Sequence, residues 1–179
     1  YFPEYGPYIN LTGAVLKVVP ADTKSFQINF EAFEEMLTEK VAAVLINTPN
    51  NPSGTVYSSE TLRKLAAIMT DKAEKYGHDI FLISDEPYRE IVFAGVESPY
   101  PSKFYANTLS CYSFSKSLSL PGERIGYVAV NPACRDAEYI SAMCSQISRG
   151  TGHNCPPSII QLAVAEVLDL TSDLSVYET

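Results

Sequence analysis

Several familiar signposts are missing. The four cysteines, Cys111, Cys134, Cys144 and Cys155, form no C-x-x-C pair, and the two histidines, His78 and His153, belong to no ligand cluster. Neither a redox dithiol nor a metal centre is therefore expected, and reduced thiols in a cytoplasmic protein fit this usage. Positive charge is scarce: 13 Lys and Arg stand against 21 Asp and Glu, for a formal net charge of −8. Such a surface repels nucleic acid and anionic membranes. No apolar run approaches the roughly 20 residues of a membrane span, and the N-terminus carries no signal-peptide pattern. Repeats and low-complexity segments are lacking too. The first residue is Tyr1 rather than methionine, so the chain reads as an excerpt from something longer. What is present is 179 residues, 46% of them hydrophobic, enough for a substantial core.

In chain order, Tyr1 to Gly13 is aromatic and turn-rich, a poor candidate for a self-sufficient element. Ala14 to Pro20 (AVLKVVP) reads as a short strand closed by proline. Asn29 can cap a helix running to about Glu39, with Phe30, Phe33, Met36 and Leu37 on one face. Val41 to Asn47 (VAAVLIN) is a continuous apolar run, as in a strand covered on both faces, and opens into the loop TPNNPSG. Ser58 or Ser59 caps a helix to about Tyr76, which Gly77 stops. Asp79 to Ser84, Thr108 to Phe114 and Arg124 to Val130 read as further strands. A helix follows from about Arg135 to Ile147, and Pro157 opens a last one with Ile159, Leu162, Ala163, Val167 and Leu168 as its apolar stripe. This alternation predicts an α/β fold of three layers, a mostly parallel sheet with helices on both faces. The link before Arg124 is too short for a helical crossover, so an antiparallel last strand fits it.

Three polar clusters end three successive core strands: Asn47 to Gly54, Asp85 to Tyr88, and Ser113 to Lys116. Singly, each has a dull explanation. Asn51-Pro52 and Ser53-Gly54 are ordinary turn chemistry, Asp85 can be a cap, Tyr88 a rim aromatic and Lys116 a surface lysine. Together they fall on one sheet edge, where open α/β sheets bind ligands. A lysine among hydroxyls (Ser113, Ser115, Ser117, Ser119), with Arg124 nearby, suits a carbonyl cofactor that carries a phosphate.

The stretch SFSKSLSLPGERIG, Ser113 to Gly126, resembles the lysine signature of class I and II pyridoxal-phosphate aminotransferases of the aspartate aminotransferase fold type. NTPNNPSG resembles that family's asparagine-proline-threonine/serine-glycine loop, and SDEPYREI its aspartate-x-x-tyrosine strand end, in the same order and spacing. The resemblance covers essentially the whole chain and implies pyridoxal 5'-phosphate as cofactor, with an amino acid and a 2-oxo acid as substrates. It implies that Lys116 forms the imine with the cofactor and then moves the substrate proton. Asp85 would face the pyridine nitrogen, and Tyr88 and Asn51 the ring's phenolate oxygen. Arg124, Ser113 and Ser115 would bind the phosphate, Phe2 would stack on the ring, and Tyr5 would support Asp85.

The same resemblance implies that residues 1–179 are part of a cofactor-binding large domain. A glycine-rich phosphate turn and early strands would precede them, and a small domain with the carboxylate-gripping arginine would follow. Isolated, such a fragment is expected not to turn over; the full-length protein is expected to be a homodimer. Other readings exist. A β-lyase, another enzyme of the same fold, or a non-catalytic regulator with an aminotransferase-like domain would share these motifs. Ser113 to Lys116 also fits the S-x-x-K of penicillin-recognising enzymes, but their S-D-N and K-T-G companions do not occur.

Overall fold

The computed structural model describes residues 1–93 and 95–168. Its centre is a four-stranded sheet in the order β1 (Ala43–Asn47), β2 (Phe81–Asp85), β3 (Thr108–Ser113), β4 (Gly126–Val130). The first three strands are parallel and β4 is antiparallel to β3, as the short link requires. In register, Asn47 lies beside Asp85, Asp85 beside Cys111, and Ser113 beside Gly126. All the strand ends carrying the polar clusters therefore meet at one rim.

Helices cover both faces. α2 (Phe30–Met36) and α3 (Ser59–Tyr76) pack on the face that carries Ile46 and Leu82. Leu62, Leu65, Met69, Ile80 and Leu82 are each 1% exposed or less. Burial of each such side chain contributes about 1.5–3 kcal/mol. Local chemistry sets the ends of α3. The Ser58 hydroxyl accepts from Thr61 N, and Gly77 closes the helix at φ 71°, a conformation that penalises any residue with a Cβ. α5 (Ala137–Gly150) lies along β4 near Val130 on the opposite face. α6 (Ser158–Leu168) packs Ile160 and Val164 against Phe114 and Ile125, next to the β3–β4 turn.

Three local expectations fail. Residues 14–20 form no strand: no neighbouring strand among the described residues supplies a ladder, and Val15 and Val18 remain exposed. The N-terminal stretch does form an element, the short helix α1 (Tyr5–Leu11), which buries no residue and is tied to the sheet by a side chain instead. The apolar stripe of α6 is also rotated from expectation. Ile159, Leu162 and Leu168 are 63% or more exposed, while Ile160 and Val164, four residues apart, make the contact. With apolar residues on nearly every side, period alone could not choose the face. Elsewhere the ends shift by a few residues: α2 stops at Met36 and α5 starts at Ala137.

Candidate active site

Strand geometry places the side chains. Asp85 is the last residue of β2, and its carboxylate accepts a hydrogen bond from the Tyr5 hydroxyl. Burial raises the Asp85 pKa above the ordinary carboxylate value, and the Tyr5 hydrogen bond opposes this only in part. Tyr5 is pushed far up, first by burial and then by its bond to Asp85. Phe2 meets Tyr5 edge-on, with ring centroids 5.7 Å apart, so it reaches the cluster at second remove. Cys111, beside Asp85 on β3, is held up to about 11 by burial and by that carboxylate, and stays a thiol at neutral pH.

The loop after β1 is organised by Asn47, a residue the sequence did not single out. Its side-chain amide donates to the Asp85 carbonyl (3.0 Å), while its Oδ1 accepts from Asn51 N (3.1 Å) and Asn50 Nδ2 (3.1 Å). Asn51 is thereby aimed across the rim, where its Nδ2 donates to the Tyr88 hydroxyl (3.0 Å). Lys116 Nζ lies 5.6 Å from the centroid of the same Tyr88 ring. The turn carrying the lysine, α4 (Phe114–Ser117), is entered through Ser113, whose Oγ accepts from Ser115 N and donates to Ser115 Oγ (2.7 Å).

Arg124 is brought to this rim by the antiparallel pairing of Ser113 with Gly126 and by the Phe114 N to Ile125 O bond. Its guanidinium, however, is turned onto its own turn, donating to the Pro121 carbonyl (2.8 Å), and its backbone is left-handed at φ 51°. Gly126 is a second residue the sequence reading passed over. A Cβ there would sit 2.3 Å from Tyr112 O, so β4 approaches β3 at this point only because the side chain is a hydrogen. Two surface grooves lie elsewhere. One runs beside Val130, Ala137 and Ser141, another beside Asp22, Asn29 and Lys64, and neither holds a residue of this cluster.

A family model described as aminotransferase class I and II matches residues 1–176. The chain belongs to this family. Among its relatives are an aspartate aminotransferase of Bacillus sp. (strain YM-2), 31% identical over 97% of this chain and 42% of that protein. An aspartate/prephenate aminotransferase of Thermus thermophilus is 31% identical over 94% of this chain and 40% of its own. Among solved structures, an amino transferase from Eubacterium rectale superposes with a TM-score of 0.94 at 49% identity, covering 99% of this chain and 45% of its own. Thermus thermophilus aspartate aminotransferase with maleate gives 0.78 at 30% identity, covering 94% and 41%. The chain thus spans less than half the length of the proteins it matches. The family transfers amino groups and uses pyridoxal phosphate.

The donor set fits that cofactor. Asp85 is a desolvated carboxylate whose partner, Tyr5, brings a neutral donor rather than a cation, and a protonated ring nitrogen would supply the charge. The Asn51–Tyr88 pair presents donors to an oxyanion. Two serine hydroxyls stand at the β3–β4 end for a phosphate, and the Arg124 guanidinium, held on the Pro121 carbonyl, would join them on turning away from it.

Proposed function

We propose that this chain is the cofactor-binding core of a pyridoxal-phosphate-dependent aminotransferase, part of a longer protein that moves an amino group between an amino acid and a 2-oxo acid. The observation that carries it is the convergence of Lys116 on the Tyr88–Asn51 pair beside a buried carboxylate, Asp85, in a member of this family. Lys116 is the covalent anchor, and its amine, once released, moves the proton at the substrate's α carbon. Asp85 holds a proton on the ring nitrogen. Tyr5 and the Asn47 amide keep the strand end that carries it in place. Tyr88 and Asn51 donate to the ring oxygen, while Ser113, Ser115 and Arg124 hold the phosphate once the guanidinium leaves the Pro121 carbonyl. Phe2 covers the ring. When bound, the cofactor supplies the electron sink that makes the α proton removable.

The proposal extends to a cytoplasmic homodimer, because in this family a partner subunit helps to shape the substrate pocket. It also places the phosphate turn and the carboxylate-binding small domain in the remainder of the longer protein, consistent with coverage of 41% to 45% of the matched structures. The test is the full-length protein with pyridoxal phosphate, wild type against Lys116→Ala. Borohydride reduction followed by peptide mass mapping should place the cofactor on Lys116, and the pH-dependent visible band should vanish in the variant. An identical band in both would remove Lys116 from its role.

A further inference from the structure

Behind the rim, on the side of the sheet away from Asp85, lies a hydrogen-bond chain that the catalytic reading does not use. Tyr112 is the penultimate residue of β3, so its side chain points to the face opposite Cys111 and Ser113. Its hydroxyl donates to Glu90 Oε2 (2.7 Å) and lies 2.7 Å from Ser117 Oγ, which supplies the matching donor. The Tyr112 ring is fixed, stacked on Tyr127 with centroids 5.2 Å apart and meeting Phe114 edge-on at 5.1 Å. Burial pushes the Tyr112 pKa up, so the hydroxyl keeps its proton at working pH.

The placement of the two partners is what matters. Ser117 follows Lys116 directly, and Glu90 lies in the same turn as Tyr88. One hydroxyl therefore ties the segment that carries the amine to the segment that carries the phenol, and Lys116 Nζ lies 5.6 Å from the centroid of the Tyr88 ring. The Tyr88 turn is also pinned by Arg89. Its Nη1 donates to Ser98 O (3.1 Å), its guanidinium covers the Tyr100 ring at 3.6 Å, and it pairs with Glu86. Arg89 and the Tyr112 bridge thus hold the Tyr88 turn at two points.

We propose that Tyr112, with Glu90 and Ser117, is a positioning device that sets the separation of Lys116 and Tyr88. None of the three touches the reacting atoms; the device acts through the two residues that do. The inference rests on the cofactor reading given above, since the separation has a purpose only if both groups would serve one cofactor. Tyr112→Phe is the clean perturbation, because it keeps both ring contacts and removes only the shared hydroxyl.

The experiment uses the full-length protein stripped of cofactor and then supplied with pyridoxal phosphate. It reads the rate of borohydride-trappable attachment at Lys116 and the pH midpoint of the bound cofactor's visible band. Tyr112→Phe and Glu90→Ala should each slow attachment about tenfold and displace the midpoint, in line with the cost of displacing a reacting group by a fraction of an ångström. The double variant should lose no more than either single one, because both break one chain. Glu90→Gln, which keeps an acceptor oxygen, should lose less than Glu90→Ala. If Tyr112→Phe fails to fold, the Glu90 pair still decides. Wild type without an adduct at Lys116 sinks the cofactor reading and this inference with it. Wild type with an adduct, but with variants matching its rate and midpoint or losses that add, sinks the positioning device alone.

Discussion

Gly126→Ala tests whether the close approach of β4 to β3 holds the lysine turn in place. The new Cβ would stand 2.3 Å from Tyr112 O and 3.1 Å from Ser113 Cα, both backbone atoms that no rotamer change can move away. A carbon–oxygen contact becomes tolerable at roughly 3.3 Å, so the strands must part by about 1 Å. The cost should fall at the upper end of overpacking, about 3 kcal/mol. With a urea slope of about 2 kcal/mol/M, the unfolding midpoint of the full-length protein should drop by about 1.5 M. Because Ser113 pairs with Gly126 and opens the turn that carries Lys116, the displacement should also reach the site. A 1 Å misplacement there slows cofactor attachment by up to about 100-fold. Gly122→Ala is the control, in the same connection with nothing within 4 Å of its added carbon, and should change stability by less than about 0.5 kcal/mol. A Gly126→Ala protein that matches this control in both assays would refute the steric argument.

Three further outcomes follow from named contacts. Arg89→Ala leaves the Glu86 carboxylate, 2% exposed, without its cation and should cost about 3–5 kcal/mol in urea unfolding; Glu86→Leu with Arg89→Met should recover most of it. Asp85→Asn keeps an acceptor for Tyr5 but removes a desolvated charge, so it should stabilise the cofactor-free protein by about 1 kcal/mol while abolishing tight cofactor binding, read by paired melting and absorbance titrations. Because the folded Asp85 pKa lies above its ordinary value, the folded state holds that proton longer and loses stability as pH rises through the interval. The gain from Asn should therefore be full above the folded pKa and gone below the unfolded one. His78 titrates in the same direction, with the favourable contact on its charged form. Its ring nitrogens face the Asp79 and Glu39 carbonyls at 3.0 and 2.8 Å, which raises its pKa. Its stabilisation should be complete below the unfolded histidine pKa and fade as pH rises through the folded one, and pH-dependent melts of His78→Asn should lack that slope.

Where one face or one cap decides an element, the sequence was legible. The apolar run ending at Asn47 and the Ser58–Gly77 frame of α3 needed only local information, and the short link after β3 implied the antiparallel return of β4. Residues 14–20 show the limit. A strand is half of a pair, and β propensity says nothing about whether the other half is beside it. α6 shows another, since a helix apolar on most sides has no preferred face until a neighbour is chosen. In the candidate site, Asn51, Asp85, Tyr88 and Lys116 could be named because each stands at a strand end with a distinctive side chain. Asn47 was hidden because its task is to hold three other groups, and Tyr112 and Glu86 because a strand's far side looks like ordinary core. Gly126 was invisible for a different reason: its requirement is an interstrand distance, and no residue pattern encodes that.

Alternation along the strands divides labour across the rim. Asn47, Asp85 and Cys111 face one side, and all are only partly buried. Ser84 and Thr108 face the other and are fully buried, with Glu86 and Tyr112 continuing that side at the strand ends. A carboxylate kept short of a cation is a cost to the folded chain, and it can persist only where neighbouring interactions over-determine the backbone beneath it. Here those interactions are on the reverse face: the Leu82–Met69 core, the Glu86–Arg89 pair and the Tyr112 bridge. It follows that substitutions on the front should change cofactor chemistry with little loss of stability, and those on the back should lower stability first. The Asp85→Asn and Arg89→Ala proteins measure the two sides of that division separately.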